Sequence, residues 1–138
     1  MPGKGTGTGR VLEEMILPSL NRAGYHCTTG VTVGSRLGLG RHVVDVVASR
    51  NGDSYLVSVK WQQVSGTAEQ KVPFEVICLS EILEGGEYAA AYLVLGGAGW
   101  RFRDFFTSDR LRRYMRVSDK IAVMSLEAFV ARVNRAGL

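Results

Sequence analysis

Apolar and polar positions divide the chain into alternating helical and extended stretches. From Arg10 to Ala23, Leu12, Ile16, Leu20 and Ala23 form one apolar stripe at 100° per residue, which predicts a helix ending at Gly24. Glu13 falls at the edge of that stripe beside Leu17 and Leu20, so it is expected to turn inward. Glu14 points about a quarter turn away, toward solvent. Pro18 is expected to kink the helix. Tyr25–Val33 reads as a strand, and Gly34–Gly40 as a glycine-rich loop. Two β-branched runs follow, Val43–Ala48 and Tyr55–Lys60, joined by the turn signal Asn51-Gly52-Asp53, which predicts a hairpin or closely paired strands.

Beyond them, Thr67 and Gln70 fit a capping box, while Pro73 suits a helix that starts only there. Phe74–Leu83 is apolar nearly all round, as in a buried helix. On its wheel Glu75 shares a side with Cys78, Leu79 and Ile82, and Glu84 lies opposite. Ala89–Leu95 is a buried strand followed by the turn Gly96–Gly99. Aromatic and arginine residues then interleave from Trp100 to Phe106. Ser108–Arg116 reads as a short helix with Leu111, Tyr114 and Met115 inward. Ile121–Met124 is a short strand, and Ser125 caps a last helix that packs back through Ala128, Phe129 and Val133.

Three carboxylates and one lysine sit where apolar side chains belong. Asp45 shares a strand face with Val43 and Val47, and Ser58 and Lys60 share one with Leu56. Glu75 is on the buried side of its helix, and Glu13 is the inward acid of the first. Ionised groups in such places are costly unless paired or bound to a cation.

The 138 residues form one domain, expected over 10–138 behind an N-terminal arm of residues 1–9. The arm is glycine-rich but lacks the Gly-Lys-Ser/Thr of a phosphate loop. No apolar run approaches the ~18 residues of a membrane span, and no signal-peptide stretch opens the chain, so a cytoplasmic protein is expected. Cys27 and Cys78 are expected as reduced thiols. His26 beside Cys27 lacks the further ligands zinc needs. Charge is uneven: residues 1–95 carry eight basic and nine acidic side chains, residues 96–138 nine and four. A basic segment on a near-neutral body suits a polyanion, most often nucleic acid, or is simply a solvated face.

Acids and a lysine on adjacent elements can hold a hard divalent cation through oxygen and serve phosphodiester hydrolysis. With a helix acid at Glu13, a strand aspartate at Asp45 and a lysine at Lys60, the chain resembles the PD-(D/E)XK nuclease superfamily, and Gln62 matches a frequent embellishment of that pattern. The resemblance spans residues 10–85. It implies an α/β fold with a restriction-endonuclease-like core, a mixed central sheet of four to five strands flanked by helices. One departure stands out: Ser58 occupies the place of the acid before the lysine. The arrangement resembles restriction endonucleases in which the following helix supplies the missing carboxylate, and Glu75 is in place for that, with Glu69 as the fallback.

The resemblance implies catalytic roles for Asp45, Lys60, Glu75, Glu13, Ser58 and Gln62, with Asp45, Glu75 and Glu13 holding Mg2+, which Mn2+ can replace. DNA is the expected partner, through Arg36, Arg41, His42, Gln63, Arg101, Arg103, Arg112 and Arg113. The glycines of 34–40 either supply turns or let the backbone approach phosphate. The expected activity is a homodimeric endonuclease selective for branched DNA or Holliday junctions, of the phage or mobile-element kind. A compact restriction-like or homing enzyme, and a binding module with a decayed site, are the alternatives.

Overall fold

The β-branched runs pair as the alternation requires, and the computed structural model describes residues 7–138. Five strands, β1 (His26–Arg36), β2 (Leu39–Arg50), β3 (Asp53–Trp61), β4 (Ala90–Gly96) and β5 (Ile121–Ser125), lie side by side in chain order. The first three form an antiparallel meander, and β4 and β5 add in parallel to β3. The mixed α/β sheet flanked by helices is therefore present. Cys27 and Cys78 are free thiols.

Helices cover both faces. On one side, α1 (Gly7–Val11), a π-helical turn (Leu12–Ile16) and α2 (Leu17–Arg22) run on continuously, and α5 (Leu126–Arg135) joins them. Val11, Ile16, Leu20, Phe129 and Val133 pack there on Val46, Ala48, Val57, Val59, Tyr92 and Val94. On the other side, α3 (Ala68–Leu83) lays Val72, Val76, Leu79 and Leu83 on Val44, Leu56, Ala91, Leu93 and Leu95. The short α4 (Arg103–Thr107) and a 3-10 turn (Asp109–Arg113) close that layer with Phe106 and Leu111.

Several boundaries differ from expectation for local reasons. Residues 1–6 of the expected arm lie outside the described residues, and Gly7–Gly9 are already helical. The stretch 34–40 is strand on both sides of a tight turn, with positive φ at Leu37 (55°) and Gly38 (88°), the geometry that joins twisted antiparallel strands directly. Helix α3 starts at Ala68 rather than Pro73. The Thr67 side chain makes no capping bond. Gln62 Oε1 accepts the Ala68 amide instead, at 3.0 Å. Proline at the sixth helical position leaves one carbonyl without its helical donor, and the buried face holds the helix together regardless. The expected helix over 108–116 is the 3-10 turn capped by Ser108 Oγ, and Tyr114 is exposed rather than inward. Ala128 is likewise exposed, while Phe129 and Val133 pack as expected.

The sheet has one irregularity that matters for the site. Val46 and Ala48 of β2 face α1 and α5, whereas Val44 and Val47 face α3. Strict alternation cannot put residues 44 and 47 on one side, so the strand changes face at Asp45. Its neighbour changes at the same level: Cys27 packs on the α1 side and Val31 on the α3 side. Between them Gly30 has φ +59°, and the β1–β2 register skips its pairing with Asp45. The β2–β3 ladder also ends here, at Val46 opposite Val57.

The loop after β4 is held by a buried side chain. Glu69, 6% exposed, accepts the amides of Arg101 (2.9 Å) and Phe102 (2.6 Å). Gln62, equally buried, donates to the Gly99 carbonyl at 2.9 Å. The end of β3, the start of α3 and the 97–102 loop are thus tied together.

Two outcomes follow. Gly30→Ala should lower stability by about 1 kcal/mol, because an L side chain resists the left-handed region, although no atom within 4 Å would obstruct its Cβ. Gly66→Ala, at a conventional φ with room for a Cβ, should be near neutral. Equal urea midpoints for the two would refute the face change. Glu69→Ala should cost about 2 kcal/mol, since the Arg101 and Phe102 amides lose a charged acceptor. An unchanged thermal midpoint would show that the loop is anchored otherwise.

Candidate active site

Where β2 leaves β3, the Val59 amide loses its ladder acceptor. Asp45 Oδ2 takes the place, accepting that N–H at 2.7 Å. One residue back along β3, Ser58 is 4% exposed and points to α3, where its hydroxyl donates to Glu75 Oε2 at 3.1 Å. One residue on, half-buried Lys60 is close enough to act electrostatically on Glu75. Three successive residues of β3 thus engage both carboxylates and supply the cation. They stand near the carboxyl ends of the parallel strands β3 and β4, the edge where open α/β sheets place their ligands.

His42, expected as a phosphate contact, completes the group. It is 1% exposed, so it is not an outward phosphate contact. After the face change at Asp45 it lies on the α3 side, with Nε2 3.0 Å from Glu75 Oε2. An ionised carboxylate only accepts, so this pairing assigns the hydrogen to Nε2. Among the described residues, Nδ1 is buried without a hydrogen-bond partner. The parity of β2 carried a signal that could have found it, since His42, Val44, Val46 and Ala48 are alternate residues and all buried.

Opposed effects act on Glu75. Burial pushes its pKa up, while the His42 hydrogen bond, the Lys60 charge, the His42 charge and the Ser58 hydroxyl pull it down. The net position is below the ordinary 4.5, so the carboxylate is ionised at neutral pH.

The remaining expected site residues divide. Glu13 is exposed, not turned inward. The π turn explains why: it re-phases the helix, and the buried residues run Val11, Ile16, then Ser19 and Leu20, with a five-residue first step. Glu14 is the acid on the side of Trp61: it lines a cavity of about 330 Å³ with Gly7, Arg10, Val11, Met15 and Trp61, 3.7 Å from Arg10. Gln62 uses both ends of its amide on Ala68 and Gly99, which makes it a brace between elements. Glu69 is committed to the 97–102 loop and is no substitute for Glu75.

Among the expected DNA contacts, Arg36, Arg41, Gln63, Arg101, Arg103 and Arg113 are exposed. Arg112 differs in that its guanidinium donates to the carbonyls of Ser118 (3.0 Å) and Ile121 (2.7 Å), bracing the turn into β5. A carbonyl-rich turn captured it, which its spacing in the sequence did not reveal.

Among the described residues no group of three or more His, Cys, Asp or Glu side chains forms a cation cage. Two carboxylates meeting β3 at adjacent residues suit a different kind of ion: Mg2+ is ordinarily held by one or two carboxylates and completes its octahedron with water and phosphate oxygens. Asp45 and Glu75 are donors of the type that ion takes.

A search of curated proteins gave no match. Among solved structures, the chain is similar to the crystal structure of a protein of unknown function, AF1548, with TM-score 0.48 and 15% identity over 80% of this chain. The chain spans 54% of the length of that protein. A sequence model of the PD-(D/E)XK nuclease superfamily domain matches residues 4–136. The match takes in every strand and helix described above, and the chain belongs to the PD-(D/E)XK nuclease superfamily.

Proposed function

We propose that the protein is a Mg2+-dependent DNA endonuclease that hydrolyses phosphodiester bonds at the Asp45–Lys60–Glu75 site. The observation that carries this reading is the convergence on β3: Asp45 at Val59, Glu75 at Ser58, and the Lys60 charge acting on Glu75. Asp45 and Glu75 would hold the cation. When bound, it would polarise the scissile phosphate and lower the pKa of the attacking water. Lys60 orients that water or offsets the charge that builds on phosphorus. Ser58 does not replace the missing acid itself; its hydroxyl aims the acid that α3 provides. Glu13, at the surface of the π turn, has no place in this set.

The exposed Arg36, Arg41, Arg101, Arg103 and Arg113, with Gln63, would grip phosphates and set the register of the duplex. Selectivity for branched DNA or junctions, a homodimer that cuts both strands, a phage or mobile-element origin and action in the cytoplasm complete the proposal. No described helix is long and apolar enough to cross a membrane. A second reading, a DNA-binding module with a decayed site, draws on Ser58 standing where the family pattern has an acid.

Supercoiled plasmid and a synthetic four-way junction, each with Mg2+ or chelator, separate these readings. Wild type should cut with Mg2+ alone. Asp45→Ala, Lys60→Ala and Glu75→Gln should each lose about 10²-fold or more and retain DNA binding through the arginines. Full activity in Glu75→Gln would refute its assignment, and binding without metal-dependent cleavage of either substrate would favour the decayed module.

Acid should act on stability through Glu75 in a defined direction. Its folded pKa is depressed, so its contribution is present above 4.5 and is lost as pH falls through the folded value. The thermal midpoint of wild type should fall toward that of Glu75→Gln as pH drops below about 4.5. A gap that does not narrow in acid would contradict the depressed value.

A further inference from the structure

We propose that His42 is a positioning residue that, together with Ser58, aims Glu75 into the place of the acid missing from β3. The inference rests on the reading of Glu75 as a cation ligand. A glutamate reaching from a helix has three side-chain torsions to fix, whereas an acid on the strand itself would have been aimed by the backbone. Two donors do that aiming here. His42 Nε2 from β2 and Ser58 Oγ from β3 both end on Oε2 of Glu75, at 3.0 and 3.1 Å. With Cα fixed on α3 and one oxygen held from two directions, the plane of the carboxylate and the direction of its other oxygen are set.

The fold brings His42 there by the same device that turns Asp45. Had β2 kept the alternation of Val46 and Ala48, residues 44 and 42 would face α1 and α5, away from Glu75. The face change at Asp45 moves both to the α3 side. Opposite His42, β1 carries an extra residue, Val33, between the pairs Thr32–Val43 and Gly34–His42. Such a bulge re-aims side chains beside it.

The imidazole is also an expensive filler. Among the described residues its buried Nδ1 has no hydrogen-bond partner, a cost that leucine or phenylalanine would avoid. Among the described residues, the Nε2–H bond to Glu75 is the hydrogen bond that requires this side chain.

The test is Mn2+ alone titrated into DNA-free protein, followed by electron paramagnetic resonance, with plasmid cleavage against Mg2+ and DNA concentration as the second readout. His42→Phe fills the space without a donor. His42→Gln keeps an N–H of similar reach, and His42→Asn is a polar variant too short to reach. His42→Phe and His42→Asn should weaken Mn2+ binding about 10-fold or more and raise the Mg2+ midpoint for cleavage likewise, with KM for DNA within about twofold. His42→Gln should restore most of both, an outcome that packing alone would not produce. If His42→Phe does not fold, His42→Asn against His42→Gln gives the same comparison. Wild-type Mn2+ affinity in the donor-less variants, or equal losses in all variants, overturns the role of His42 and leaves the site intact. Wild-type protein that binds no Mn2+ overturns the site reading and this inference together.

Discussion

A single hydrogen bond, from the Val59 amide to the Asp45 carboxylate, stands where the sheet stops being regular. Upstream of it β2 and β3 are an ordinary antiparallel pair, and beyond it they diverge. A buried amide stripped of its ladder partner would be costly. The charged acceptor at 2.7 Å removes that cost and is stronger than the carbonyl it replaces. Everything around the site follows from that exchange. The strand changes face, Asp45 is drawn to β3, His42 is brought to the α3 side, and Glu75 meets two donors.

The division of labour between strand and helix explains why the Ser58 departure need not disable the site. A family pattern written along one strand is a pattern of positions in space, and a side chain from α3 can reach one of them. What the change demands is control of a longer and freer side chain. The fold supplies this with hydrogen bonds, and supplies rigidity beneath them with Gln62 and Glu69, which lash the end of β3, the start of α3 and the 97–102 loop together. Part of the basic C-terminal segment serves the fold in the same way. Arg112 braces a turn, and Arg132 stacks over Tyr92 with its guanidinium carbon 5.5 Å from the ring centroid while it also bonds the Gly137 carbonyl.

Much of this was legible in the chain. The strand pairs declared themselves through alternation and the Asn51-Gly52 turn, and Glu75 through its place among Cys78, Leu79 and Ile82. The features that escaped share a physical cause: they depend on a break in periodicity or on a partner far along the chain. A wheel drawn at 100° cannot see a π turn, so Glu13 was put inside when it is outside. Glycines in 34–40 suggested a loop, yet two positive-φ residues make a two-residue turn. His42 looked like part of a basic loop because it follows Arg41 and its partner, Glu75, lies 33 residues further along the chain. Gln62 matches a catalytic embellishment by spacing, but its bond to the Gly99 carbonyl, 37 residues away, could not be read from the chain.

The account turns on whether Glu75 has assumed the duty of the strand acid. The most direct measurement is anomalous diffraction from crystals soaked in Mn2+. A peak shared by Asp45 and Glu75 is expected, with Ser58 still bonded to Glu75 and Lys60 beside it. A manganese peak on Asp45 that leaves Glu75 uncoordinated, or one bound only at other carboxylates, would contradict it.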